Sequence, residues 1–176
     1  IDDPIDETIE TFEILQQQGK IRYYGISSIR PNVIREYVRR SNITSVMMQY
    51  SLLDRRPEES CLPLLMENNI GVLARGTVAG GLLAQKPAVD YLGHPADSIE
   101  RVKSVLKNLE PRGSAMAQLA IQFALGQPAI TAATVGIRTT EQLNEAVMAS
   151  QLPVLTAKEL LILSEAAPAL LYREHK

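Results

Sequence analysis

Strand-like runs open near Ile21, Ser45 and Ile70, at intervals of 24 and 25 residues, and a helical period fills the space before each one. Ile9, Phe12 and Leu15 fall on one helical face behind the acidic Asp6 and Glu7, which suit a helix N-terminus, and Gly19 fits the stop. The first strand is expected over Ile21–Ile26. Pro31 then opens a helix with Val33, Ile34, Tyr37 and Val38 as its apolar face, and Ser45–Tyr50 reads as the next, buried strand. Pro57 opens a third helix carrying Leu62, Leu65 and Met66, which ends near Asn68 and Asn69 before a strand over Ile70–Ala74. Strands separated by whole helices need crossover connections, and such crossovers make a parallel sheet, so the fold class is α/β.

Beyond that point the proportions change. The loop from Arg75 to Asp97 is long enough to expect a function of it. Helical spacing resumes with Ile99, Val102, Val105, Leu106 and Leu109, and again with Met116, Leu119, Ala120 and Phe123 after Ser114. A fourth strand is expected over Thr131–Val135, and Thr156 with Glu159 forms a capping box that starts a last helix carrying Leu160, Leu161, Leu163 and Ala167. The chain of 176 residues, 45% hydrophobic, is long enough for one domain with its own core. Four strands with their helices amount to half of a (β/α)8 barrel.

Composition excludes several partners. A net charge of −2 with 18 scattered basic residues argues against a nucleic-acid surface, and no apolar run approaches the length of a membrane span. Neither a nucleic acid nor a membrane is therefore expected as a partner. A lone Cys61 with His94 and His175 far apart leaves no metal-site spacing, and points to a reducing, cytoplasmic compartment. Both histidines read as surface residues rather than proton donors.

The fourth strand leaves at Gly136, passes Ile137 and Arg138, and runs straight into a helix through Thr139, Thr140, Glu141, Gln142 and Leu143. Backbone N–H groups at a helix start carry partial positive charge and lack partners, so an anion satisfies them. Arg138 adds a planar fork of donors that matches phosphate oxygens. The same residues also make a plain capping box from Thr139 to Gln142 beside a solvated arginine, and the local pattern leaves both readings open.

Four stretches together resemble the aldo-keto reductases: EILQQQGKIRYYGISS over 13–28, Gln49-Tyr50-Ser51-Leu52, GVLARGTVAGGLL over 71–83, and GIRTTEQL over 136–143. They stand in family order and spacing over nearly the whole chain. The resemblance implies that residues 1–176 are the C-terminal part of one barrel domain, strands five to eight of a TIM (β/α)8 barrel. It implies NADPH-dependent reduction of aldehydes or ketones, with a small carbonyl substrate and the N-terminal half of the same barrel as partners. Barrel chemistry sits at the C-terminal ends of the strands, where each of these motifs lies.

Matched residue by residue, the family pattern puts Ser27, Ser28 and Gln49 on the nicotinamide carboxamide, with Ser28 standing where asparagine is frequent. Arg75 occupies the position of a stacking aromatic, a departure that a planar guanidinium can fill while repelling the oxidised, cationic ring. An arginine there also fits a plain ion pair at a loop start. Gly76, Thr77, Val78, Ala79, Gly80, Gly81 and Leu82 form a glycine-spaced loop whose amides suit a pyrophosphate, with Lys86 at a phosphate-contact position. Gly136, Ile137, Arg138, Gln142 and Glu145 are implied to surround the adenosine, with Arg138 on the 2′-phosphate. Ala146 stands where the family often has asparagine, and one adenine contact goes with it.

The catalytic tyrosine, lysine, aspartate and histidine of the family belong to motifs that these residues do not contain. Tyr23, Tyr24 and Tyr50 stand in strand contexts that do not match, and Lys20 falls on the opposite face of the barrel. No catalytic residue is carried over, and this chain alone is expected to be inactive. The alternative is a non-catalytic nucleotide-binding or scaffold module, similar to the reductase-like subunits that accompany channels.

Overall fold

The computed structural model describes residues 4–109 and 115–175. Helix α1 (Ile5–Gln17) leads into strand β1 (Gly25–Ser27), α2 (Pro31–Arg40), β2 (Ser45–Gln49), α3 (Cys61–Glu67) and β3 (Gly71–Arg75). Helices α4 (Ala96–Leu109) and α5 (Met116–Leu125) precede β4 (Ile130–Thr134), and α6 (Thr140–Ala149) and α7 (Ala157–Ala166) complete the order. The four strands lie side by side in chain order, all parallel. The helix start expected at Ser114 lies outside the described residues. No helix among those described is long and apolar enough to cross a membrane.

Strand register separates two faces. Ile26, Val46, Val72 and Ile130 are partners across the sheet, and Val46, Met48, Val72 and Ala74 are fully buried against the helices. Ile34, Leu62, Leu65, Leu119, Ala120 and Phe123 belong to the same core. The opposite row, Ser27, Met47, Leu73 and Ala132, is half-buried or exposed. Between β3 and β4 the register slips by one residue, and the Val72 N–H donates to the Thr131 side-chain oxygen (3.2 Å).

Three expectations are corrected here. The first strand does not begin at Ile21: Lys20 N–H closes the end of α1 on the Leu15 carbonyl, Gln16 donates to the Arg22 carbonyl, and Tyr24 stacks on Phe12 at 5.1 Å. Those residues are committed to the helix before them, so pairing starts only at Gly25. The helix placed after Pro57 is a short 3-10 turn over Arg56–Glu59 followed by α3, and Met66 on it is 53% exposed. On α7, Leu163 is fully buried whereas Leu161 is 58% exposed, because a ten-residue helix lying on one surface can bury only one stripe.

A polar network ties the turn before α3 to the last helix. Arg55 grips Glu58 through two nitrogens at 2.8 Å each and donates to the carbonyls of Ser164 and Ala167. Tyr50 donates its hydroxyl to the same Glu58 (2.8 Å), and burial with that carboxylate pushes its phenol well up, so it stays a donor.

Candidate functional site

β1, β2 and β3 end at Ser27, Gln49 and Arg75 respectively, so the parallel sheet delivers three of the sequence-predicted residues to one edge. Gln49 and Arg75 are register partners, and Arg75 donates to the Gln49 carboxamide oxygen (3.1 Å). The Gln49 amide nitrogen donates to the Tyr91 hydroxyl (3.1 Å). A carboxamide has two donor hydrogens and two acceptor lone pairs, so each end of Gln49 keeps one position open. Arg75 makes no ion pair among the described residues; its partner is the amide. Gly76 follows with φ of +71°, a backbone conformation that favours glycine.

Successive residues at the end of β3 line two cavities. One, of about 490 Å³, is lined by Ile26, Ser27, Ser28, Arg30, Tyr37 and Arg75 among others. The second, of about 430 Å³, begins at the next residue, Gly76, and takes in Val78, Gly80, Gly81, Lys86, Gly136, Ile137, Arg138, Gln142 and Glu145. Residues from the loop after β3 and from the strand-to-helix connection after β4, some 60 positions apart, thus share one wall.

Other predicted residues stand elsewhere. Thr77, Ala79 and Leu82 are buried beneath the loop and do not line that cavity. Turn bonds within the loop use the N–H groups of Ala79, Gly81, Leu82, Leu83, Ala84 and Lys86, and leave those of Val78 and Gly80 outside the turn ladder. The glycine spacing therefore builds a tight turn first. His94, expected at the surface, is 8% exposed, because its backbone pairs with Tyr91 in both directions and folds the loop back on itself.

At the start of α6 the Thr139 side-chain oxygen accepts from Gln142 N–H (3.3 Å), while the Gln142 side chain accepts from Arg138 N–H (2.8 Å). The cap is thus displaced by one residue from a reciprocal box. Glu141 adds a carboxylate that its own N–H and the Thr139 hydroxyl hold below the usual range. Helix α5 clamps α6 from behind: Gln118 donates to the Glu145 carbonyl and Gln122 to the carbonyls of Ala149, Leu152 and Pro153.

Sequence reasoning missed Tyr91. It meets Gln49 from 42 positions away, and a lone tyrosine in a loop of irregular turns carries no periodic signal. Burial pushes its phenol up, with Asp54 adding to the effect, so it faces Gln49 as a neutral hydroxyl.

With this arrangement in view, the sequence matches the Aldo/keto reductase family over residues 1–167. The chain belongs to that family. An oxidoreductase of Bacillus subtilis strain 168, YqkF, described as uncharacterized, is 45% identical over 185 residues, covering all of this chain and 60% of its own length. The aldo-keto reductase AKR11C1 from Bacillus halodurans, in its holo form, superposes with a TM-score of 0.91 at 45% identity, covering 99% of this chain and 58% of that one. The NADH-specific methylglyoxal reductase of Escherichia coli K12 is 30% identical over 159 residues, 83% of this chain and 49% of its own length. This chain therefore spans between a half and about three fifths of these relatives. Its α/β architecture is that of the aldo-keto reductase barrel.

Proposed function

We propose that this chain is strands five to eight, the C-terminal part of a single (β/α)8 barrel, and that the completed protein reduces aldehydes or ketones with NADPH. The observation that carries the reading is the pair of cavities at the C-terminal strand ends, one lined by Arg75 and the other by the next residue, Gly76. Their linings fit the two ends of a dinucleotide. The first offers the hydroxyls of Ser27 and Ser28 and the guanidinium of Arg75, which suits a carboxamide on a flat ring; Gln49 does not line it and reaches it through its hydrogen bond with Arg75. The second offers Lys86 and Arg138 with the unspent amides of Val78 and Gly80, which suits phosphates. When bound, the reduced cofactor supplies the hydride. The chain's own residues bind and orient it: Ser27, Ser28 and Gln49 fix which ring face is presented, and Gly136, Ile137, Arg138, Gln142 and Glu145 hold the adenosine end.

Arg138 is what favours the phosphorylated cofactor in this reading; a relative 30% identical is named as NADH-specific, so the choice rests on Arg138 and not on the family. The proton donor and its supporting residues come from the first half of the barrel, which also closes the site and meets the substrate. The test is aldehyde-dependent loss of NADPH absorbance with the complete protein. Turnover of a panel of aldehydes and ketones supports the proposal; tight cofactor binding without turnover of any of them would replace it with a non-catalytic role.

Arg75 permits a sharper expectation. A guanidinium beside the nicotinamide faces a neutral ring before hydride transfer and a cationic one after it, so repulsion arises only with the product. Arg75→Tyr in the complete protein is expected to tighten NADP⁺ binding more than NADPH binding, and to slow turnover where cofactor release limits it. Dissociation constants for both forms decide the matter: equal changes would reduce Arg75 to a partner of Gln49.

A further inference from the structure

Lys103, on α4, is 6% exposed, and its ammonium donates to the Lys86 carbonyl at 2.7 Å. Its nearest carboxylate, on Glu100, is 3.8 Å away and itself 57% exposed. Taking an ammonium out of water is costly unless it is fully paired, and one carbonyl with a distant, solvated carboxylate is thin compensation. A methionine would fill the same space at lower cost. The position of the charge, directly behind a backbone carbonyl of the loop, is what needs a reason.

Lys86 is held at both ends of its main chain. Its N–H donates to the Gly81 carbonyl (3.2 Å) and its carbonyl accepts from Lys103. Fixing both groups fixes the direction of the Cα–Cβ bond, and the Lys86 side chain lies flat across Gly81. A Cβ on Gly81 would come within 3.1 to 3.3 Å of its Cδ, Cε and Cγ, and the glycine's φ of +98° suits no other residue. The stem is thus aimed along the wall of the cavity that also holds Arg138, with the Lys86 ammonium free of any ion pair among the described residues.

We propose that Lys103 is a positioning residue: it locks the Lys86 backbone so that the Lys86 ammonium is presented to a bound pyrophosphate group. The inference rests on the reading of this cavity as the phosphate end of a cofactor site. Pre-setting a long, flexible cation matters because ordering it at the moment of binding costs affinity. The buried charge also adds to the positive potential behind the loop.

The test uses the complete protein, Lys103→Met, Lys103→Arg, Lys86→Ala and the Lys103→Met/Lys86→Ala pair, with NADPH and inorganic pyrophosphate as probes. Lys103→Met is expected to weaken binding of both probes roughly tenfold at low salt, the scale of one charge-assisted contact, and to flatten the salt dependence. Lys103→Arg keeps a buried donor and should recover most of the loss. In the Lys86→Ala background Lys103→Met should add nothing, because the two act as one unit. Additive losses, or a Lys103→Met variant that lowers the melting temperature while leaving both dissociation constants unchanged, would overturn the proposal and leave Lys103 a structural tie. An unsubstituted protein that binds pyrophosphate but not NADPH would sink the cofactor reading alone, with pyrophosphate still deciding the role of Lys103; one that binds neither would sink both.

Discussion

Residues 1–176 produced without any further polypeptide are expected to self-associate and to unfold without one sharp transition. Among the described residues β1 pairs only with β2 and β4 only with β3, so each presents an unpaired edge. Open edges recruit strands from other chains. The row Ser27, Met47, Leu73 and Ala132 is incompletely covered, whereas Val46, Val72 and Ile130 in the helix-facing row beside it are buried. In a closed barrel such an inner row packs against the strands opposite. Leu143, Val147 and Met148 on α6 are 45%, 48% and 43% exposed, an apolar stripe that water does not favour. Light scattering and thermal unfolding of the chain alone, then mixed with a polypeptide supplying the first half of the barrel, give the measurement. Mixing should sharpen the transition and remove the aggregates. A monodisperse, cooperatively unfolding monomer of the chain alone would mean that these edges and this row are stable in water, and the proposed completion would fall.

The parallel sheet was legible because its signal is local. Each βα unit repeats apolar spacing, a helix start and a strand, and β2, β3 and β4 fall within a residue of their expected bounds. β1 was misjudged for a different reason: Ile21 and Tyr24 look like strand residues, yet Tyr24 is used against Phe12 and the chain pairs only from Gly25. Propensity gives way there to a contact that no window of sequence contains. The site divides in the same way. Ser27, Gln49 and Arg75 could be placed because strand ends are positions along the chain, and Arg138 because a helix start is. Tyr91, Gln118 and Lys103 act across 42, 27 and 17 positions, through single hydrogen bonds that leave no pattern behind. Burial of Thr77, Ala79 and Leu82 was equally invisible, since a glycine-rich loop reads as exposed until its turn bonds are traced.

Replacing Arg138 with alanine is expected to abolish the proposed preference of the complete protein for NADPH over NADH and to turn it slightly the other way. One charge-assisted contact to a phosphate is worth about 1.5–3 kcal/mol, roughly a tenfold to hundredfold difference in affinity. The surroundings of Arg138 sharpen the expectation. Its backbone N–H is already given to the Gln142 side chain, so the amide cannot also serve an anion, and the guanidinium is the group left to do so. Glu141, three positions along in the first turn of α6, keeps its carboxylate ionised through its own N–H and the Thr139 hydroxyl. A fixed negative charge at the start of α6 favours the helix but opposes a second anion beside it. Without Arg138 that opposition stands alone, and the order of the two cofactors should invert slightly in favour of NADH. Glu141→Gln in the Arg138→Ala background should then bring the two affinities back to near equality, with the largest recovery at low salt, where an exposed carboxylate is least screened. Titrations of both cofactors against the unsubstituted protein and these two variants separate the contributions. Equal NADPH and NADH affinity before any substitution would remove Arg138 from the 2′-phosphate, and an Arg138→Ala variant that keeps its preference would place the discriminating cation elsewhere, with Lys86 on the same cavity wall as the next residue to replace.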